Sequence, residues 1–246
     1  MENSVMMRDP RKSNYYYEES IKTLRTNIQF SSKQVKTILL TSCYPNEGKS
    51  DVAFSLAMEM GKLGQKVLLI DADIRKSTFI NKYRVNEAVN GLSQYLSGQV
   101  ELQDIIYHTN FQNMDMIFAG PTAPNPSELL GDADFTELLR QKRDDYAYIF
   151  IDTPPAASLI DATVVAKNCD AGILVIESEA ISYKVAQKVK TQIERSGCHL
   201  IGAVLNKVDM KKGRYYNSYK GYYKKLLFGK LNAAFSVRLK RVFQST

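Results

Sequence analysis

Short apolar runs alternate with segments of helical periodicity along most of the chain. The apolar runs predict six strands, at residues 36–42, 66–71, 114–118, 147–151, 171–176 and 199–205. The segments between them predict helices near residues 49–62, 87–106 (with room for a break), 127–142, 160–168 and 182–196. Several strands are apolar throughout, which is typical of parallel strands covered on both faces. The pattern therefore predicts one α/β domain, with a mostly parallel sheet and helices on both faces.

Length and composition fit a single soluble domain. The chain has 246 residues, 44% of them hydrophobic and 24% charged, which is enough for one substantial core. No apolar run approaches the roughly 18–20 residues that span a bilayer, and residues 1–20 lack the apolar centre of a signal peptide. Cys43, Cys169 and Cys198 form no metal-binding pattern. We therefore expect a cytoplasmic location.

The positive charge is concentrated at one end of the chain. No acidic residue follows Asp209, whereas ten lysines and arginines do, and removing these ten from the net charge of +7 leaves residues 1–210 at −3. We therefore divide the chain into a flexible N-terminus (1–16), a globular domain (17–209) and a basic tail (210–246). The charge alone fits either an interaction tail or a solubilising flexible end.

The tail also carries a cluster of tyrosines, in the sequence GRYYNSYKGYYKK. The five are Tyr215, Tyr216, Tyr219, Tyr222 and Tyr223. Tyrosine usually buries its ring, but this segment has neither the alternation of a strand nor the stripe of a helix. The cluster therefore indicates a role other than packing.

A phosphate-binding loop follows the first predicted strand. The segment CYPNEGKSD ends in Gly48-Lys49-Ser50, which matches the end of G-x-x-x-x-G-K-[ST] between a buried strand and a helix. Cys43 replaces the first glycine, and Asn46 stands where a second often occurs. In such loops backbone N–H groups hold phosphates, the lysine reaches the β/γ oxygens and the Ser hydroxyl ligates Mg²⁺. The predicted nucleotide contacts are Asn46, Glu47, Gly48, Lys49, Ser50 and Asp51.

Acidic residues end two further strands. Asp71 and Asp73 follow the second strand, and Asp152 ends the fourth, in the place of the carboxylate that holds Mg²⁺ in P-loop proteins. The carboxyl ends of parallel strands meet at one edge of a sheet, so these acids are expected to converge on Lys49. A single such Asp is more often a turn or cap residue, but three together favour a site.

The segment LNKVD contains N-K-x-D, which resembles the guanine-reading motif of GTPases. DTPP stands where a GTPase should have D-x-x-G, so we assign ATP and treat Asn206 as a base contact.

Several segments together resemble the bacterial tyrosine kinases (BY-kinases) of capsule and exopolysaccharide synthesis. They are PNEGKS, LLIDADIRKS, AGPTAPNPSELL, IFIDTPP with the following DA, VLNK and the tyrosine cluster. The match covers most of residues 15–223 and is closest to the form whose kinase is a chain separate from its membrane adaptor. The resemblance implies a P-loop NTPase-like fold and an ATP- and Mg²⁺-dependent autokinase that phosphorylates the tyrosine cluster in trans. It further implies regulation of polysaccharide synthesis and export.

The resemblance also assigns roles to residues. Lys49 and Ser50 would bind ATP·Mg²⁺, Asp73 and Asp152 would hold the metal with Ser50, and Asp71 would be the base for the tyrosine hydroxyl. The family assembles rings through E-x-x-R-x-x-R, occupied here by Glu19, Lys22 and Arg25. The implied partners are a co-polymerase-type membrane adaptor that activates the kinase, a cognate tyrosine phosphatase and further copies of the chain, at the inner face of the membrane.

Two features depart from the family pattern. Asp51 stands where the family usually has Thr. It either turns away from the nucleotide as an acid of the first helical turn or weakens nucleotide binding. The chain also continues beyond the cluster, where apolar residues spaced by three and four lie among basic ones. That segment suits either an anionic membrane surface or docking on the kinase body.

Three other functions compete with the kinase. A MinD/ParA-like ATPase switch would carry a signature lysine where this chain has Tyr44. An ATP-binding adaptor without efficient kinase activity is compatible with Asp51. Nucleic-acid binding through the aromatic, basic tail lacks any accompanying nucleic-acid module, so we predict no nucleic-acid partner.

Overall fold

The computed structural model describes residues 3–32, 34–85 and 87–209 of the chain. The tyrosine cluster and the rest of the tail from residue 210 onwards lie outside the described residues. No helix within the described ranges is long and apolar enough to cross a membrane.

One sheet of eight strands organises the described residues, in the spatial order β1-β4-β5-β3-β6-β2-β7-β8. The strands are β1 (Ser4–Val5), β2 (Thr37–Ser42), β3 (Val67–Asp71), β4 (Tyr107–Thr109), β5 (Met114–Ile117), β6 (Tyr148–Asp152), β7 (Ala171–Glu177) and β8 (His199–Asn206). All neighbouring pairs are parallel except β4 and β5. The mostly parallel sheet predicted from the apolar runs is confirmed.

Helices cover both faces of this sheet. They are α1 (Tyr15–Ser31), α2 (Lys49–Gly61), α3 (Phe79–Lys82), α4 (Leu92–Leu96), α5 (Pro126–Gly131), α6 (Ala133–Lys142), α7 (Asp161–Ala166) and α8 (Tyr183–Glu194), with a 3-10 turn at Leu102–Asp104. Successive residues of β2 point to opposite faces. Ile38 therefore joins a core with Phe54 of α2, whereas Leu39 joins a second core with Phe135 of α6 and Val189 of α8.

The least regular segments differ most from the sequence prediction. In place of the helix expected over residues 87–106, the structure has α4 and the 3-10 turn. The 3-10 turn is followed by the short strand β4. The helix expected over residues 127–142 is two helices, because the Asp132 side chain accepts the Ala133 N–H and starts α6. Strands as short as β1 and β4 carry too few residues to show alternation.

Residues 1–16 were expected to be flexible, whereas the described part of this segment, from residue 3 onwards, packs on the domain. β1 pairs with β4, Val5 and Met7 are buried, and the Arg8 N–H donates to the Tyr83 carbonyl at 2.7 Å. The side chain of Arg11 lies between the rings of Tyr17 and Phe54. These contacts attach the segment to β4, to Tyr83 and, through Arg11, to α1 and α2.

Asp170 ties the start of β2 to the loop after α6. Its Oδ2 accepts the Lys36 and Thr37 N–H groups at 2.9 and 2.8 Å and Nη1 of Arg143 at 2.8 Å. Burial opposes ionisation, but Arg143 and the two backbone donors together lower the pKa of Asp170. The carboxylate form is therefore the form that stabilises the fold.

We expect Asp170→Asn to destabilise the protein at neutral pH by about 1–3 kcal/mol, since it loses charge-assisted hydrogen bonds. Because the folded-state pKa is lowered, this stabilisation is complete above the unfolded-state pKa of about 3.9. It disappears as the pH falls through the lower folded value. Urea unfolding at a series of pH values measures both effects, and Asp144→Asn, at a side chain 97% exposed, is the control. A pH-independent difference would contradict this role.

Candidate active site

The predicted phosphate loop and acidic strand ends meet at one edge of the sheet. Strand β6 lies between β2 and β3, so Asp152 is in register with Leu40 on one side and Asp71 on the other. The carboxyl ends of these strands and the first turn of α2 surround a cavity of about 600 Å³. Its walls include Lys49, Asp71, Asp73 and Asp152. The predicted convergence of these four residues is therefore present.

The phosphate loop needs residues that tolerate a left-handed backbone. Asn46 has φ 67° and Gly48 has φ 87°, so Asn46 fills its glycine-like position as expected. A Cβ on Gly48 would lie 2.2 Å from Nδ2 of Asn206, which leaves glycine as the residue that fits. Nδ2 of Asn206 also donates to the Glu47 carbonyl at 2.8 Å. Asn206 therefore braces the loop and at the same time lines the cavity.

Glu47 braces the same loop from within. Its Oε2 accepts the N–H groups of Cys43 and Tyr44 at 2.6 and 3.0 Å, and the residue is 2% exposed. The other predicted nucleotide contacts, Asn46, Gly48, Lys49, Ser50, Asp51 and Asn206, line the cavity. The Glu47 side chain thus shapes the backbone that faces the cavity.

Lys49 is held among carboxylates. Its Nζ lies 3.4 Å from Asp152 Oδ2 and 3.6 Å from Asp73 Oδ2, and 3.2 Å from the Ser50 hydroxyl. Burial by itself would lower the pKa of Lys49, but Asp152 and Asp73 raise it overall. The lysine is therefore a fixed positive charge at the floor of the cavity.

Asp152 has one carboxylate oxygen in use and one without a partner. Ser50 Oγ donates to Oδ2 at 2.5 Å, whereas Oδ1 is buried and lacks a hydrogen-bond partner within the described residues. Burial raises the pKa of Asp152, as expected for an anion short of partners. An unpartnered carboxylate oxygen beside a Ser hydroxyl fits a divalent cation, or water bound to one.

Across the described ranges, no three His, Cys, Asp or Glu side chains are grouped to hold a metal by themselves.

Asp71 is the most enclosed of the acids. Oδ1 accepts the Asp73 N–H at 3.1 Å, and Oδ2 accepts the Ser77 hydroxyl. Burial, reinforced by the neighbouring Asp152, raises the pKa of Asp71 to about 8. A carboxyl group with a pKa in this range is better matched to proton transfer near neutral pH than an ordinary aspartate.

The carboxylate of Asp51 is paired on the side of α3. Oδ1 lies 2.6 Å from Nζ of Lys82 and accepts the Tyr83 hydroxyl at 3.3 Å. The Asp51 carbonyl accepts Nη1 of Arg11 at 3.1 Å. The acid that departs from the family pattern is thus neutralised by a lysine that the sequence analysis did not single out.

A second cluster was missed by the sequence analysis, and one of its members, Arg75, lines the cavity. Arg75, on the loop after β3, forms a two-nitrogen contact with Asp161 of α7, at 2.5 and 3.0 Å. Ser127 of α5 donates to the same carboxylate at 2.7 Å. All three residues lie in segments that carry the family resemblance, but 86 positions separate Arg75 from Asp161, and no local pattern links them.

The predicted oligomer contacts lie on α1. Lys22 pairs with Glu19 at 2.8 Å, and both side chains are well exposed. Arg25 instead contacts Glu59 of α2 at 3.5 Å and is mostly buried. The helix thus presents Glu19 and Lys22 outwards and uses Arg25 to pack on α2.

The fold and the loop define a P-loop nucleotide-binding domain, and comparisons with known proteins specify its class further. A family model described as an AAA domain matches residues 35–200. Tyrosine-protein kinase CpsD of Streptococcus agalactiae serotype III (strain NEM316) is 39% identical over 198 residues, which are 80% of this chain and 85% of the relative. Tyrosine-protein kinase YwqD of Bacillus subtilis (strain 168) is 34% identical over 223 residues, which are 90% of this chain and 91% of the relative.

A solved structure agrees with these relatives. The kinase domain of the Escherichia coli tyrosine kinase ETK matches with a TM-score of 0.74 and 33% identity, covering 78% of this chain and 75% of that one. The chain therefore belongs to the family of bacterial tyrosine-protein kinases. The resemblance inferred from its motifs and the predicted enzyme class are confirmed.

Proposed function

We propose that the chain is an ATP- and Mg²⁺-dependent autokinase that phosphorylates the tyrosine cluster of its tail in trans and regulates capsular or exopolysaccharide synthesis and export. The observation that carries this proposal is the contact of Lys49 and Ser50 with Asp152 Oδ2, which leaves Oδ1 of the same buried carboxylate without a partner among the described residues. Burial of this oxygen costs free energy unless a cation, or a water bound to the cation, interacts with it.

The cavity residues divide the work of phosphate transfer. Lys49 contacts the β/γ oxygens of ATP, and the loop around Asn46 and Gly48 directs backbone N–H groups at the phosphates. Asp73, Asp152 and Ser50 hold Mg²⁺, which neutralises and orients the phosphate oxygens when bound. Asn206, the last residue of β8, lines the cavity and is the proposed contact of the base.

During transfer, the bond between the γ-phosphorus and the β–γ bridging oxygen breaks while a bond to the phenolic oxygen forms. Asp71 accepts the phenolic proton, and ADP leaves with the bridging oxygen. A phenol has a pKa near 10, so a nearby carboxylate assists its deprotonation, while positioning and charge neutralisation supply most of the rate.

The geometry of the chain end supports a tail that reaches an active site. β8 ends at Asn206, which touches the phosphate loop, and the described part of the chain stops three residues later, at position 209. From Asn206 to Tyr215 the chain spans up to roughly 30 Å when extended. That reach serves the chain's own cavity or a neighbour's, and the assignment in trans rests on the family resemblance.

The same resemblance supplies the partners in this proposal. They are a membrane adaptor of the polysaccharide co-polymerase type, a tyrosine phosphatase that reverses the reaction, and further copies of the chain in a ring that Glu19 and Lys22 help to form. The basic, apolar end of the tail contacts the inner face of the membrane, where Lys and Arg are attracted to anionic lipid.

A mixing experiment tests transfer between chains. A chain shortened before the tyrosine cluster is combined with a full-length Lys49→Met chain, together with Mg²⁺ and ATP. We expect phosphate on the tail of the Lys49→Met chain, at a rate that increases with the concentration of the shortened chain. The Lys49→Met chain alone is the control. Labelling that is confined to intact chains with their own active site would contradict transfer in trans.

A further inference from the structure

Arg75 lies on the wall of the cavity, close to the predicted reaction centre. It follows Asp73 by two positions, and Ser77, two positions further on, donates to Asp71. Its side chain is 35% exposed and lines the cavity together with Lys49, Asp73 and Asp152. The roles proposed above are those of Lys49 and the three aspartates, and none has been assigned to the Arg75 guanidinium.

The guanidinium is fixed from behind by a buried acceptor. Nε and Nη2 bind the two oxygens of Asp161 at 2.5 and 3.0 Å, and Nη2 also binds the Ser127 hydroxyl at 3.0 Å. Asp161 is fully buried. Burial alone would raise the pKa of Asp161, but Arg75 and Ser127 lower it overall, so it remains a carboxylate.

The third nitrogen, Nη1, is left for a ligand. Within the described residues it makes no hydrogen bond, while the other two nitrogens are engaged. An arginine normally loses considerable side-chain entropy when it binds a ligand. Here the contacts with Asp161 and Ser127 have already restricted the side chain, which lowers the cost of a further contact.

Arg75 is one of several cations on the cavity wall, whose lining contains seven Lys and Arg residues and four aspartates. Of these cations, Lys82 pairs with Asp51 and Arg11 with Asp9, and a bound triphosphate adds negative charge for the others to neutralise. In phosphate transfer the charge spreads over the three equatorial oxygens of the moving group, and an arginine held in the same chain can neutralise part of it. The planar fork of arginine suits two phosphate oxygens better than a lysine ammonium does.

We propose that Arg75 is a further catalytic residue, which contacts the γ-phosphoryl group while it is transferred, and that Asp161 and Ser127 are positioning residues that hold it. The inference rests on the proposed function, because it assigns Arg75 to the same transfer. The competing role is purely structural, since Arg75 also ties the loop after β3 to α5 and α7.

Nucleotide affinity separates the two roles without relying on kinase activity. ADP and the β,γ-imido analogue of ATP are titrated into full-length wild type, Arg75→Ala, Arg75→Lys and Arg140→Ala in the presence of Mg²⁺. We expect Arg75→Ala to bind the imido analogue about tenfold more weakly, as for a lost charge-assisted hydrogen bond, and to bind ADP within about twofold of wild type. Arg140, which pairs with Glu137 on α6 and does not line the cavity, is the control and should show neither change.

Transfer rates and rescue complete the test. We expect Arg75→Ala to slow phosphate transfer by about 100-fold, Arg75→Lys to restore only part of it, and added guanidinium to rescue Arg75→Ala. Asp161→Asn keeps the shape of the Asp161 side chain but weakens its hold on the Arg75 guanidinium. The rate of phosphate transfer in this variant should therefore fall by less than 100-fold, and added guanidinium should not restore it.

The proposal is overturned if Arg75→Ala weakens ADP and the imido analogue equally. It is also overturned if Arg75→Ala binds both nucleotides as tightly as wild type does. A third contradicting result is a loss of transfer rate that parallels a loss of thermal stability and that added guanidinium does not restore. If wild type transfers no phosphate to tyrosine, the proposed kinase function fails, whereas the affinity comparison still decides whether Arg75 contacts the γ-phosphate.

Discussion

Lys49→Met should reduce phosphate transfer to the tail by at least about 100-fold and leave the fold intact. Methionine replaces the apolar stem of the side chain but removes the cation that faces Asp73 and Asp152. Loss of one fixed group that stabilises the charge of a transition state typically costs about 10²–10³ in rate. The fold survives because Asp152, whose pKa burial already raises, can take up a proton when its partner is lost.

The measurement is phosphate incorporation from labelled ATP, with circular dichroism and thermal unfolding to verify the fold. Lys188→Met is the matched control, because Lys188 is exposed on α8 and does not line the cavity. Wild-type levels of phosphotyrosine in a folded Lys49→Met protein would remove the phosphate loop from the mechanism.

Asp152→Asn and Asp73→Asn should each weaken Mg²⁺-dependent nucleotide binding more than Asp71→Asn does. Asp152 presents its unpartnered Oδ1 at the site of the predicted cation, and Asp73 lies on the cavity wall beside Lys49. Asp71 has both oxygens engaged, by Ser77 and by the Asp73 N–H. An amide is a poorer ligand for Mg²⁺ than a carboxylate, so we expect a loss of about tenfold or more at the two metal positions.

A titration of Mg²⁺ at fixed nucleotide concentration measures this division of roles. For Asp152→Asn and Asp73→Asn the midpoint should move to higher Mg²⁺ concentration, whereas Asp71→Asn should keep the midpoint and lose the rate of transfer. Thermal unfolding of each variant without nucleotide provides the control for stability. Equal shifts in all three variants would contradict the separate assignments of metal ligand and base.

The parts of the site that the sequence predicted are local ones. The phosphate loop is one continuous segment between a buried strand and a helix, and its loop glycine, Gly48, is required by a backbone at φ 87°. Asp71 and Asp152 end apolar strands, and the parallel arrangement of those strands brings them together. In each case the residue type and its place in the strand carry the prediction, so no tertiary contact has to be known.

The parts that were missed depend on tertiary contacts. The partners of Asp51 are Lys82 and Tyr83 at the end of α3, and Tyr83 lies 32 positions further along the chain. Nothing in the sequence indicates which way that acid turns. The contact between Arg75 and Asp161 joins the loop after β3 to the distant helix α7, and Arg25 contacts Glu59 on another helix. The short edge strands β1 and β4 form because each pairs with a neighbour, and their own sequences are too brief to predict them.

The central claim, that the tyrosine cluster is the substrate of this cavity, is tested most directly by mapping phosphotyrosine. Purified full-length protein is incubated with Mg²⁺ and ATP, digested and analysed by mass spectrometry, with Lys49→Met treated in parallel. We predict phosphate on tyrosines among Tyr215, Tyr216, Tyr219, Tyr222 and Tyr223 in the wild-type protein and none there in the variant. An unmodified cluster in wild type, or equal modification in both proteins, would contradict the claim.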